Sequence, residues 1–145
     1  LSMKIGRQMK TELLLDTHVW VWLVTGEPKL IKTEFFTLLE KAEDIRLHLS
    51  AISLWEISML VSKERLKLSM NTLDWLKIYL KKSDTQIIAI NPDIAVKSTE
   101  LKGFHGDPAD RLILASAIYL GAKVVTHDKL ILSFCKSKKI DYLKV

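Results

Sequence analysis

The tightest constraint on this chain is an alternation. Short apolar runs of strand length take turns with longer segments of helical spacing, and no repeat, low-complexity tract or linker rich in Pro, Gly or Ser interrupts them. Strands separated by helices need crossover connections, and these build a parallel sheet covered on both faces. "ELLL" (Glu12–Leu15) reads as a buried strand, followed by "RLHLS" (Arg46–Ser50), "QIIAI" (Gln86–Ile90) and "KVVT" (Lys123–Thr126), with "DYLKV" as a last edge strand. Helices are expected over "THVWVWLVTG" after Asp16, over Lys32–Ala42, over Ser53–Leu66 with Ser50 or Ser53 as N-cap, and over Asn71–Lys82 with Leu73, Leu76, Ile78 and Leu80 available for packing. Others follow over Pro92–Leu101 and "DKLILSFCKS". "HGDPADRLILASAIYLG" carries its own punctuation, with Asp107 as N-cap, Pro108 at the first helical position and Gly121 as the stop.

At 145 residues, 48% apolar and 27% charged, the chain suits one globular unit, taken as residues 11–145. "LSMKIGRQMK" reads as an N-terminal extension or partial tag. It lacks the apolar segment of a signal peptide, and no run is long and apolar enough to span a bilayer. A single cysteine, Cys135, supports neither an internal disulfide nor a thiolate metal site. The expected setting is therefore the reducing cytoplasm, with no membrane partner.

The informative residues are acids among apolar neighbours. Asp16 ends an apolar strand, and Asp128 follows Thr126 by two, so both project from the carboxyl edge of the sheet, where sites of parallel sheets form. Glu56 has Ile52, Ser53, Met59 and Leu60 as its helical neighbours, and Asp110 has Ile113 and Leu114. Each acid also has a plain reading. Asp16 and Asp128 are candidate helix caps, Asp110 a partner in a capping arrangement with Asp107, and Glu56 a candidate ion-pair partner of Lys63 or Arg65. Together they point to convergence, in which four carboxylates repel one another and raise their pKa values unless a hard divalent cation joins them. All-oxygen donors suit Mg2+ or Mn2+, which activate water and clamp a phosphate in phosphodiester hydrolysis. The net charge is +5; with these four of the 17 acids set aside, 13 acidic residues face 22 basic ones, a remainder of +9. An acidic pit in a basic surround suits a nucleic-acid backbone.

Four segments, "LLLDTHVWVWLV", "LSAISLWEI", "HGDPADRLILASAIYLG" and "VVTHDKLI", come in an order and at spacings that resemble those of a PIN domain. More narrowly, from about Thr11 onward the chain resembles VapC-type toxin ribonucleases of toxin–antitoxin systems. The resemblance implies a three-layer α/β/α fold with a central, mostly parallel sheet. It implies a catalytic and metal-binding quartet at Asp16, Glu56, Asp110 and Asp128, with Thr126 steadying metal-bound water. It also implies Mg2+ or Mn2+ dependence, endonucleolytic cleavage of RNA, a homodimer and a cognate antitoxin partner. The alternatives are a PIN nuclease of RNA processing without an antitoxin and a non-catalytic RNA-binding module. A receiver-like phosphoacceptor fits poorly, because Lys123 starts its strand instead of ending it.

Other residues carry weaker signals. His18, His48, His105 and His127 show no zinc-ligand spacing, and His127 reads as solvated or structural, with substrate contact as the alternative. Trp20 and Trp22 cannot share one helix face, which puts one of them in the core and leaves the other for a subunit or antitoxin contact.

Overall fold

The computed structural model describes residues 10–42 and 44–145; the proposed extension, apart from Lys10, lies outside the described residues. Five strands form one sheet: β1 (Thr11–Leu15), β2 (Ile45–Ser50), β3 (Thr85–Ile88), β4 (Lys123–Thr126) and β5 (Tyr142–Lys144). Their spatial order is β3-β2-β1-β4-β5, and every neighbouring pair is parallel. Leu13, Leu14 and Leu15 are all fully buried, because a central parallel strand has no solvent face and so reads as an unbroken apolar run.

Side-chain alternation divides the core in two. Leu13, Leu15, Leu47, Leu49 and Val125 face one side, where they meet Val19 and Trp20 of α1 (Thr17–Thr25), Phe35 of α2 (Glu34–Lys41), Ile57 of α3 (Ala51–Ser62) and Trp75 of α4 (Thr72–Lys82). Leu14 and Val124 face the other side, against Ile113, Leu114 and Ala117 of α6 (Pro108–Leu120) and Ile131, Phe134 and Cys135 of α7 (Lys129–Lys138). Ile94 of α5 (Pro92–Thr99) is also fully buried. Helices on both faces give the three layers.

Several boundaries differ from the sequence reading. A 3-10 turn at Pro28–Lys32 precedes α2, which starts at Glu34 because the Thr33 side chain accepts from Phe36 N and caps it. α3 starts directly after β2 with Ser50 as its cap and ends at Ser62, not Leu66. On α4 the buried residue is Trp75; Leu73 is 60% exposed, Ile78 is exposed, and only Leu76 and Leu80 of the four expected leucine and isoleucine contacts pack on the core. β3 stops at Ile88, leaving Ile90 exposed beyond the edge strand. Among the described residues no helix is long and apolar enough to cross a membrane.

The strand order matters for function. From β1 the chain runs outward through β2 and β3 on one side, then returns to β4 and β5 on the other. The reversal falls between β1 and β4, whose registers align Leu15 with Val125. Crevices outside the carboxyl ends of strands at such a reversal are where parallel sheets bind ligands.

Candidate active site

Asp16 follows β1 at that reversal and is 5% exposed. Its backbone N–H donates to Val125 O, which ties it to β4. Its two carboxylate oxygens have separate duties. Oδ1 accepts from Thr17 N at 2.8 Å and caps α1; Oδ2 accepts from the Thr126 hydroxyl at 2.6 Å. The same Thr126 oxygen accepts from Asp128 N at 3.0 Å, so one fully buried hydroxyl joins the acid after β1 to the acid after β4. Asp128 Oδ1 accepts from Ile131 N at 2.9 Å and caps α7. The plain capping readings thus hold for Asp16 and Asp128, and each occupies one oxygen only.

Glu56 comes from α3 and accepts from the Thr17 hydroxyl, which also meets the Ser53 hydroxyl at 2.7 Å. Lys63 and Arg65 do not pair with it; the ion pairs among the described residues join Glu12 to Arg46 and His48. Thr17 and Ser53 are buried; the sequence reading does not single out Thr17, and it marks Ser53 only as a candidate cap and a helical neighbour of Glu56. The available signal was Ser53 three residues before Glu56, on the same helical face, together with a threonine directly after Asp16.

Asp110 stands in the first turn of α6. Its N–H donates to Asp107 Oδ1 at 2.8 Å, so Asp107 is the cap and Asp110 keeps its carboxylate free of that duty. The loop before α6 is held by Arg111, whose Nε donates to Ser98 O at 2.8 Å and whose Nη1 donates to Phe104 O. In that loop a Cβ on Gly106 would sit 2.3 Å from the Phe104 ring and 3.1 Å from Asp110 Cβ, so only glycine fits under the buried phenylalanine. Arg111→Ala removes two charge-assisted bonds to carbonyls at once. A loss of about 2–3 kcal/mol is expected, read as a lower urea midpoint at unchanged slope.

The acids sense one another. Asp110 is pushed up to about 7, first by burial, then by repulsion from Asp107, Asp16, Asp128 and Glu56 in that order. Asp16 is raised, chiefly by burial, against the pull of the Thr126 and Thr17 hydrogen bonds. Glu56 is raised by burial, with Asp16 and Asp107 adding to it and the Thr17 hydroxyl opposing it. Asp16, Glu56, Asp110 and Asp128 therefore share one electrostatic field. Among the described residues no three His, Cys, Asp or Glu side chains stand close enough together to hold a metal ion as a ready-made cluster. The acids are linked instead through Thr126, through Thr17 and through mutual repulsion.

A raised carboxylate pKa lowers stability when the group ionises. For Asp110 the folded state binds the proton more tightly than the unfolded state, whose value is the ordinary 3.8. This contribution is complete below pH 3.8 and is lost as pH rises through about 7. In chelated buffer Asp110→Asn is therefore expected to melt higher than wild type above pH 7, with the gap closing towards pH 4. The gain is on the order of 1 kcal/mol, or about 2–4 °C, after discounting for solvent screening of a half-buried group. Thermal melts across that range check it.

Around the acids lie two different surroundings. A cavity of about 480 Å³ between α3 and α6 is lined by Ile52, Trp55, Met59, Pro108 and Ala109 together with Glu56 and Asp107. Elsewhere His127, between Thr126 and Asp128, packs against Trp22 and His18 of α1. Cys135 is buried, its thiol pushed up to about 11 by burial, and it takes no part in the site.

This arrangement has known counterparts. The family model described as "PIN domain" matches residues 13–136. Ribonuclease VapC22 of Mycobacterium tuberculosis is 36% identical over 120 residues, covering 82% of this chain and 88% of that protein. Among solved structures, VapBC2 from Rickettsia felis bound to a DNA fragment from their promoter aligns with a TM-score of 0.64 and 24% identity, over 92% of this chain and all of that one. A toxin–antitoxin complex from Klebsiella pneumoniae aligns with a TM-score of 0.57 and 22% identity, over 80% of this chain and 86% of that one. At those identities the structural matches bear on the fold, and the match of the family model bears on descent. With that model spanning most of the sequence and every acid but Glu56 at a strand end or in the first turn of a helix, the chain belongs to the PIN domain family.

Proposed function

We propose that the protein is a metal-dependent endoribonuclease, the toxin of a type II toxin–antitoxin pair. The observation that carries this reading is the shared field of Asp16, Glu56, Asp110 and Asp128 at the reversal of strand order, in a chain that is otherwise strongly basic. The ribonuclease name of the Mycobacterium relative and the toxin–antitoxin title of the Klebsiella neighbour support it.

In donor chemistry, though not in ready-made spacing, the set suits a hard divalent cation. It is all oxygen, partly buried and unpaired by any basic side chain among the described residues. Asp16, Glu56, Asp110 and Asp128 would hold Mg2+ or Mn2+, which when bound supplies Lewis-acid charge stabilisation and a nucleophilic hydroxide. The remaining work belongs to the chain. Thr126 fixes Asp16 Oδ2 and the Asp128 backbone in one orientation, and Thr17 does the same for Glu56. Burial raises the pKa values of Asp16, Glu56 and Asp110, so each gains from a nearby cation. Surface lysines neutralise flanking phosphates, so that affinity falls with salt. Residues 11–145 act as one unit in the cytoplasm, as a homodimer whose activity a cognate antitoxin suppresses.

The test is cleavage of single-stranded RNA by the purified chain with Mg2+ or Mn2+. Loss of all cleavage in EDTA, recovery on adding either ion in excess, and inhibition by a co-purified small protein are expected. Undiminished cleavage in EDTA overturns the mechanism. Cleavage without any inhibiting partner favours an RNA-processing role.

A further inference from the structure

We infer that His127, backed by Trp22 and His18, is a stacking seat for an unpaired nucleobase next to the bond that is cut; this rests on the nuclease reading above. The seat is built from two elements that also carry the acids. His18 and Trp22 are four residues apart on α1, which begins at Asp16, so they share a face. His127 lies between Thr126 and Asp128 and comes within 4.7 Å of the Trp22 ring centroid at 52°, and within 6.2 Å of His18 edge-on. Lys29, from the 3-10 turn, holds its ammonium 4.9 Å from the Trp22 centroid.

Three observations favour a base over other uses. His127 is exposed although its neighbours Thr126 and Asp128 are buried and half-buried, so it is accessible from solvent beside the acids. Its position is fixed by aromatic packing, and neither His18 nor His127 belongs to an ion pair among the described residues. A flat ring held in place by packing costs little entropy to stack upon, and every base has a π-face to offer. Charge selects the direction of entry. The cavity between α3 and α6 offers Trp55 but no basic side chain in its lining. The Trp22 side offers Lys29, which attracts one. A base in this seat must be splayed out of a helix, which makes the substrate a loop or single strand and excludes duplex RNA.

The experiment uses short single-stranded RNAs with 2-aminopurine walked along successive positions, bound to the Asp110→Asn chain in EDTA. Stacking quenches this fluorophore, so the readout does not depend on turnover. Quenching is expected at one position and absent in the matching duplex. His127→Ala removes it and weakens binding between about five- and a hundredfold, the range of one base–aromatic stack. His127→Phe restores both, since it keeps the ring and drops the polar atoms. Trp22→Ala is avoided because Trp22 also packs on the core. The inference falls if no position is quenched, if His127→Ala leaves the quench intact, or if His127→Phe fails as alanine does. It also falls if His127→Ala spares RNA binding but dissociates the antitoxin complex, since the surface then serves a protein. Nuclease and seat fail separately. A chain that cuts no RNA yet shows the His127-dependent quench keeps the seat and loses the nuclease, and cleavage without that quench does the reverse.

Discussion

Asp16→Asn is expected to lower RNA cleavage at least about a thousandfold, some 4 kcal/mol of transition-state stabilisation, while the fold survives. The substitution is close to isosteric. The amide oxygen still accepts from Thr17 N and caps α1, and the amide nitrogen faces the Thr126 oxygen, which has a lone pair to receive it. What disappears is one negative charge in a position 5% exposed. Burial raises the pKa of Asp16, so removing the charge relieves the native state and offsets the acceptor that the Thr126 hydroxyl loses, leaving the melting temperature close to that of wild type. Retained stability with lost activity separates this outcome from simple unfolding. Asp93→Asn, an exposed acid at the start of α5, is the control and leaves cleavage unchanged. Cleavage within tenfold of wild type in Asp16→Asn would remove this carboxylate from the chemistry; a collapsed fold would make it a helix cap above all.

How much of this was legible in the sequence depends on the range of the interaction. β1 was readable because a strand buried on both faces leaves a continuous apolar run, and α6 because Asp107, Pro108 and Gly121 are local signals that act within one turn. The buried face of α4 was not. Leu73 and Trp75 are about 200° apart on a helix, and the choice between them is made by Trp20, which meets Trp75 edge-on at 5.7 Å. The 3-10 turn at Pro28–Lys32 is too short to show a period, and the sequence pattern of β3 reads on to Ile90 because Ile87 and Ile90, exposed beside a sheet edge, look no different in sequence from core residues. At the site, the acids stood out because a carboxylate among leucines is rare. Thr17 and Ser53 did not, since a threonine or serine near a helix start has a sufficient local explanation. The contacts of Thr17 with Ser53 and Glu56 join elements more than 30 residues apart. The capping role of Asp16 and Asp128 leaves the proposed ligand role open, because a carboxylate has two oxygens and the cap takes one.

Thr126→Val is expected to cost about 3 kcal/mol at neutral pH, roughly 6–12 °C, and to carry a pH signature that packing loss does not. Valine keeps the branched shape that β4 requires and removes one hydroxyl with two duties. Asp16 Oδ2 loses its donor in a position where water reaches poorly, and Asp128 N–H loses its acceptor. The Thr126 hydrogen bond is the main influence holding the Asp16 pKa down against burial, so the variant raises the folded value further. A raised folded value means that the ionised native state is the penalised one. The deficit is therefore fullest above the folded pKa and shrinks as pH falls through it, and Asp16 is protonated in both states only below the ordinary 3.8. The orphaned Asp128 amide supplies a remainder that does not move with pH. Thr126→Ser retains the hydroxyl and loses a methyl group, so it should cost about 1 kcal/mol with the wild-type pH profile. Urea midpoints for both variants from pH 4 to 8 check the prediction. A valine deficit that is flat across that range would mean that Thr126 stabilises its strand by shape alone and does not govern the charge of Asp16.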